Sequence, residues 1–318
     1  MHATPQRVRI EEPAVLPSLR PVPPGPNLDQ RMLRFFRLLR LAFWRAFVHD
    51  AFATAKASAY SMIFTFFPVL LIIGSFLANW RKGGPYLREI SYALGSILPA
   101  GTNTALGYLK GAAQHPVGLV TTTSLITLWT ASGVMISWMD GFRRCYELPK
   151  TWGLVKERLI AFLLVVFALI PMTFSTLLVA VGSKFETRLL PYIDPDFSVY
   201  VLLLWGAIRW LIATLTSIAV IALIYHHAVP RTQPWHSVMP GAMLATVLWF
   251  STTIGFRAYL QHVGDFATIY GSLGVAMALL AWMYLISLVV LVGAEFNALL
   301  FPRAMLGKEL TAVSGPKS

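Results

Sequence analysis

Acidic residues are scarce in this chain. Of 318 residues only 14 are Asp or Glu, against 26 Lys or Arg, and charged residues make up 13%. That is about half the charged share of a soluble domain. So few charges cannot coat the two soluble domains that the length would allow. Cysteine is nearly absent as well. The single Cys145 excludes an internal disulfide, a zinc cluster and a CxxC pair. Arg143 and Arg144 beside it favour a thiolate, but a plain structural cysteine is the simpler reading. GxSxG, GxGxxG, Walker A and HExxH are missing too, and with them the signatures of hydrolases, dinucleotide enzymes, P-loop proteins and zinc proteases. The DPD turn of Asp194 and Asp196 falls short of the converging carboxylates that two-metal hydrolysis needs, and it reads as a solvated turn. His226, His227 and His236 have no cysteine or acid nearby in sequence and read as interfacial polar residues. No enzyme activity, metal or cofactor is expected.

What the chain has is apolar surface: 56% hydrophobic residues and a mean hydropathy of +0.63. Residues 1–27 carry 7 of the 20 prolines and read as a disordered cytoplasmic tail, not a cleavable signal peptide. Residues 28–52 form an amphipathic helix. Met32, Phe35, Phe36, Leu39, Phe43, Ala46 and Phe47 fall in one arc of about 120° at the helical period. Arg31, Arg34, Arg37, Arg40 and Arg45 cover the opposite half. Such a helix lies in the membrane interface with its arginines on anionic lipid; a partner-binding helix is the competing reading.

Six spans follow, at about 58–79, 117–139, 159–182, 198–225, 238–260 and 269–295, each close to the roughly 20 apolar residues a crossing needs. Pro68 and Pro171 sit inside the first and third and mark kinks. Residues 83–116, broken by Gly95, Pro99 and Gly101, read as an extracytoplasmic helical segment that lies on the surface or dips in. If that segment crossed, every later span would change sides. Residues 303–318 form a second cytoplasmic tail. The expected fold is all-α: a polytopic membrane helix bundle of six transmembrane helices plus an N-terminal interfacial helix, in one domain over 28–302.

Basic residues set the orientation. With the N-terminus inside, 18 of the 26 Lys and Arg fall on the cytoplasmic side, seven outside, and Arg209 lies within the fourth span. This is a positive-inside distribution with both termini cytoplasmic. Because the charges flank membrane segments and form no single patch with stacking aromatics, nucleic-acid binding is not expected.

Arg209 is the most informative residue. A charge at a helix centre costs about 2.5–3.5 kcal/mol on insertion scales, and no acid is expected at its depth. Two readings stay open: Arg209 snorkels or binds backbone carbonyls, or it faces a cavity and binds an anionic ligand such as a lipid phosphate. Asp140, Arg143, Arg144 and Glu295 gather near the cytoplasmic interface, as a salt-bridge network locking helix ends or as a gate or proton site. Small residues at spacing four, Gly133, Ser137 and Gly141 in the second span and Gly241 and Ala245 in the fifth, predict close helix packing.

The assembled motifs resemble the YihY family, also called the virulence factor BrkB or ribonuclease BN-like family. The likeness covers roughly residues 35–302. It rests on AYSMIFTFFPVLLII at 59–73, LWTASGVMISWMDGFRRCYE at 128–147, PWHSVMPGAMLATVLWF at 234–250, YGSLG at 270–274 and GAEFNA at 293–298. The resemblance implies a six-span bacterial inner-membrane protein and an older ribonuclease label for which these residues offer no hydrolytic site. The first functional expectation is a transporter-like or lipid-handling protein with an anionic ligand. The alternative is a non-transporting membrane scaffold or envelope factor, and a ribonuclease ranks last. Membrane lipids, mainly anionic, are the expected partners, and a homo-oligomer is compatible with the packing seams. Substrate and driving ion are not written in the sequence.

Overall fold

A computed structural model describes residues 28–79, 107, 117–189, 195–230, 233–262 and 266–302. The expected tails 1–27 and 303–318, and the segment 83–116 apart from Gly107, lie outside the described residues. Every element is an α-helix: α1 (Leu28–Val48), α2 (Ala51–Asn79), α3 (Val117–Cys145), α4 (Leu154–Leu189), α5 (Pro195–His227), α6 (Trp235–His262) and α7 (Phe266–Leu300). Backbone contacts divide the chain into residues 1–37 and 38–318, so the boundary falls within α1.

In the first unit, Arg34 and Arg37 and the apolar Met32, Leu33, Phe35 and Phe36 are all exposed. In the second unit, the rest of α1 and the turn after it direct a stripe of Ala42, Arg45, Ala46 and His49 inward. The two alanines are fully buried, the two polar residues half-buried, and Phe43, Trp44 and Phe47 exposed. These positions recur at three and four residues, the spacing of one helix face. Arg45, which its place on the arginine arc assigned to the lipid surface, is half-buried here, turned toward a buried carboxylate described below. Asp50 turns the chain into α2 with φ of 57°, a left-handed conformation that Asp tolerates better than most residues.

The six helices α2 to α7 form a closed ring. Each packs on the next, α7 returns to α2, and α3 also packs across the ring on α7. Short connections make α3 to α7 antiparallel to their sequence neighbours, and α2 runs antiparallel to α3 because Gly141 meets Thr54 and Gly133 meets Ser61. The starts of α2, α4 and α6 and the ends of α3, α5 and α7 therefore share one end, here called the basic end. Burial concentrates there: Phe142, Cys145, Tyr225, Val229, Val238, Leu291 and Glu295 are all nearly inaccessible. Away from it the outer faces stay apolar and exposed. Leu163, Phe167, Ile170 and Phe174 run down one face of α4, an apolar stripe of the kind that meets lipid or another protein and not water.

Among the described residues, four helical segments are long and apolar enough to cross a membrane: Leu154–Val179, Tyr200–His227, Trp235–Leu260 and Gly274–Leu300. They correspond to the last four expected spans. The first two fall in α2 and α3, continuous helices of 29 residues each. Hydroxyl residues make α3 less apolar, yet Thr127, Thr130, Ser132 and Ser137 each donate to a carbonyl three or four residues back. A helix can carry such groups away from water because each is satisfied within it. Pro68 and Pro171 lie inside the continuous helices α2 and α4.

Candidate functional site

At the basic end, Glu295 on α7 has no accessible surface. A desolvated carboxylate survives only with donors around it, and α1 supplies them. His49 Nδ1 lies 2.5 Å from Oε1, and Arg45 Nε lies 3.3 Å from Oε2. Arg45 lies on α1 and His49 just past its end, four residues on and with its N–H still bonded to the Arg45 carbonyl, so the two reach one carboxylate from the same side. Arg45 also donates through Nη2 to Glu147 Oε1 at 3.0 Å. Glu147 sits just past α3 with φ of 53°. There Leu148 N–H reaches the Arg143 carbonyl and Glu147 N–H the Arg144 carbonyl, the paired bonds of a Schellman cap. Glycine usually takes that place; Glu147 accepts the strain and provides a carboxylate. Cys145 is packed under the cluster. Burial first, and then the adjacent Glu295 charge, push its thiol well above the ordinary range. Burial does the same to the Tyr146 hydroxyl, against the opposing effect of the Gln233 and Asn297 amides.

A second charged group adjoins the first. Arg143 contacts Asp140 one turn earlier on α3 and donates to Glu157 of α4 at 2.6 Å. Lys150 reaches the other oxygen of Glu157 at 3.4 Å. Glu157 is 3% exposed and Arg143 7%, so this pair ties α3 to α4 in a dry setting.

A third arrangement joins α5, α6 and α7 without charge. Pro240 inside α6 has no N–H and disturbs the turn before it. Asn297 answers on both sides: its Oδ1 accepts from Gly241 N–H at 2.6 Å, and its Nδ2 donates to the Val238 carbonyl at 3.0 Å. Tyr225 donates to the Val290 carbonyl at 2.6 Å. Replacing Asn297 by leucine orphans the buried Gly241 N–H, and the expected loss is about 2 kcal/mol, read as a lowered midpoint of thermal unfolding in detergent.

The structure thus splits the expected inner group. Asp140 and Arg143 meet each other, and their third partner is Glu157. Glu295 turns to Arg45 and His49. Arg144 stands 4.0 Å from Asp50 at the surface. Arg209 is far from both clusters. It lies 18 residues before the end of α5, about 27 Å along the helix, and its Nη1 donates to the Val179 carbonyl of α4 at 3.4 Å. The three histidines go to aromatic contacts: His226 stacks on Trp235 and His236 meets Phe301 edge-on. Among the described residues no group of three or more His, Cys, Asp or Glu could hold a metal ion. Sequence reasoning passed over His49, Glu157 and Asn297. Their signal was present, since a polar residue in or beside an apolar segment is rare and needs a partner.

Inside the ring lies a cavity of about 400 Å³. Met62 and Phe66 of α2, Met135 and Trp138 of α3, Met172 of α4 and Trp282 of α7 help to line it, with Thr65 as a polar exception. Methionine and tryptophan walls suit a flexible hydrocarbon ligand, because thioethers adapt in shape and indoles give broad apolar faces.

The family described as virulence factor BrkB matches residues 42–312. Ribonuclease-like protein YfkH of Bacillus subtilis is 27% identical over 280 residues, which covers 85% of this chain and 98% of YfkH. The membrane protein VV0203 of Vibrio vulnificus, of the type named UPF0761, is 29% identical over 252 residues, covering 77% of this chain and 76% of its own. A UPF0761 membrane protein of Tolumonas auensis is 26% identical over 263 residues, covering 81% and 83%. No solved structure matches the chain.

Proposed function

The chain belongs to the virulence factor BrkB family of membrane proteins, and from that premise we propose that it is a transporter-like, lipid-handling protein of the bacterial inner membrane. In this reading all six helices of the ring are spans and the basic end faces the cytoplasm. The cavity inside the ring carries the proposal. It is apolar, large enough for part of a hydrocarbon chain, lined by α2, α3, α4, α6 and α7, and open on one side. Ligand clefts have volumes of about 300–1,000 Å³, and this one lies within that range. The charged clusters at the basic end would hold the helix ends together while helices move around the ligand. Arg209 is proposed to attract the ligand's anionic group. It contacts α4 seven residues beyond Met172, about 10 Å outward from the cavity wall. The ribonuclease-like name belongs to the Bacillus relative, and we propose no such activity for this chain.

The test uses proteoliposomes of phosphatidylethanolamine and phosphatidylglycerol containing a fluorescent phosphatidylglycerol. Wild-type protein is expected to move the probe between leaflets faster than protein-free vesicles. Ala131→Trp, which fills the cavity from α3, is expected to abolish the movement while the protein stays folded. Arg209→Gln is expected to slow it for anionic lipid more than for a zwitterionic probe. An unchanged rate in Ala131→Trp defeats the cavity reading, and an unchanged rate in Arg209→Gln removes that arginine from it. A scaffold reading draws on the exposed Phe43, Trp44 and Phe47 of α1. It expects no lipid movement, and disruption of that aromatic face would change membrane association instead.

A further inference from the structure

A second lipid-sized feature lies on the outside of the ring, between α2 and α7. It is a groove of about 370 Å³ lined by Lys56, Ala59 and Tyr60 of α2 and by Met277, Leu280, Ala281 and Tyr284 of α7. The spacings explain the shape. Positions 56, 59 and 60 form one face of α2, and positions 277, 280, 281 and 284 form one face of α7. Ala59 is buried at the floor where the two helices come together, and the small, exposed Ala281 beside it leaves that floor open, while Tyr60, Met277 and Leu280 are exposed as walls. The helices are antiparallel, so the groove has direction. Lys56 lies five residues into α2, near the basic end, and of the lining residues on α7 Tyr284 lies farthest toward that end. From there the groove extends about 10 Å along α7 to Met277, over apolar side chains alone.

Among the described residues, Lys56 is the only cation in the lining and forms no ion pair, and it is exposed. The charged groups of the neighbouring clusters face elsewhere: Arg45 and His49 toward Glu295, Arg144 toward Asp50. A single positive head above an apolar trough matches one kind of occupant in charge and polarity. We propose that this groove binds one anionic phospholipid, with its phosphate on the Lys56 ammonium and an acyl chain running toward Met277. The long lysine stem can lie along Tyr60 and lift the ammonium to the headgroup level. The two alanines give the chain its seat, as small residues on a helix face allow close approach. This site is separate from the cavity inside the ring and does not depend on the function proposed for that cavity.

The experiment is native mass spectrometry of the purified full chain, delipidated and then titrated with phosphatidylglycerol against phosphatidylcholine of the same acyl length. Wild type is expected to hold one phosphatidylglycerol in preference to phosphatidylcholine. Lys56→Gln is expected to reduce that preference about fivefold, the effect of one basic residue at a lipid surface, and Lys56→Arg to keep it. Ala281→Phe, which fills the floor of the groove, is expected to lose the tightly held lipid of either kind. Lys56 is exposed, so its variants fold as wild type does. Equal preference in wild type and Lys56→Gln overturns the headgroup assignment. Undiminished retention in Ala281→Phe overturns the groove and leaves non-selective annular lipid only.

Discussion

Glu295→Ala is expected to lower stability by about 3 kcal/mol, because breaking a buried ion pair from one side leaves its partners uncompensated. The value belongs at the lower end of the usual 3–5 kcal/mol, since Arg45 is 26% exposed and His49 20%, and both can recover some hydration. Arg45 also keeps Glu147. In thermal unfolding in detergent this corresponds to a fall of roughly 5–10 °C. The lone cysteine provides an independent reading. Cys145 is buried, and burial together with the Glu295 charge holds its thiol above the usual range, so the folded wild type should react slowly with a maleimide. Losing Glu295 removes a charge that opposes the thiolate, an effect larger than the opposing help that Arg45 gives the thiolate. Faster alkylation of Cys145 in Glu295→Ala is therefore expected. If the midpoint and the alkylation rate both match wild type, Glu295 does not hold α1 to the bundle.

Substituting either glycine at the α6–α7 crossing is expected to be at least as damaging. A Cβ at position 241 would lie 2.2 Å from the Gly293 carbonyl oxygen and 2.5 Å from the Asn297 amide. At position 293 it would lie 2.4 Å from Tyr225 Oη, 2.7 Å from the Gly241 carbonyl oxygen and 2.9 Å from Ala245 Cβ. The obstacles include backbone on both helices, so no rotamer change relieves them and the helices must separate. Overpacking usually costs about 1–3 kcal/mol. Separation here would also break the Asn297 and Tyr225 bonds. Gly241→Val and Gly293→Val should each cost about 3 kcal/mol or more and reduce the monodisperse fraction in size-exclusion chromatography. Gly206 and Gly255 serve as controls, since a Cβ at either meets nothing within 4 Å. There Gly→Ala should be neutral or stabilise by up to about 1 kcal/mol through helix propensity. A similar loss at all four positions would mean that close approach at the crossing is not the cause.

These two expectations show how the seams relate to the sequence. Gly241 and Ala245 could be read as a small-residue seam because their spacing alone brings them to one face. The partner glycine could not: Gly293 lies 52 positions away, and only the ring closure sets it opposite Gly241. The same holds for Gly133 and Gly141. Both lie on the predicted face of α3, yet Gly133 meets Ser61, whereas Gly141 meets Leu291 and Thr54. Glu295 was legible as a costly residue near a helix end. Its partners were not, because His49 and Arg45 are about 250 residues distant and belong to a helix whose arginines read as a single lipid-facing arc.

What the sequence by itself determined is the class of molecule. Long apolar runs, few acids and basic residues flanking those runs force an all-helical chain whose outer faces meet lipid, because a backbone in hydrocarbon must satisfy its hydrogen bonds within each segment. That argument is local, so it could be made without knowing which helix touches which. Pairing was decided only by the tertiary structure: Glu295 with Arg45 and His49, Arg143 with Glu157, Asn297 with the disturbed turn at Pro240, and Gly241 with Gly293. Each is a match between a buried polar or backbone group and a complement far along the chain. Such matches depend on the order in which the helices close into a ring, and helix periodicity carries no information about that order.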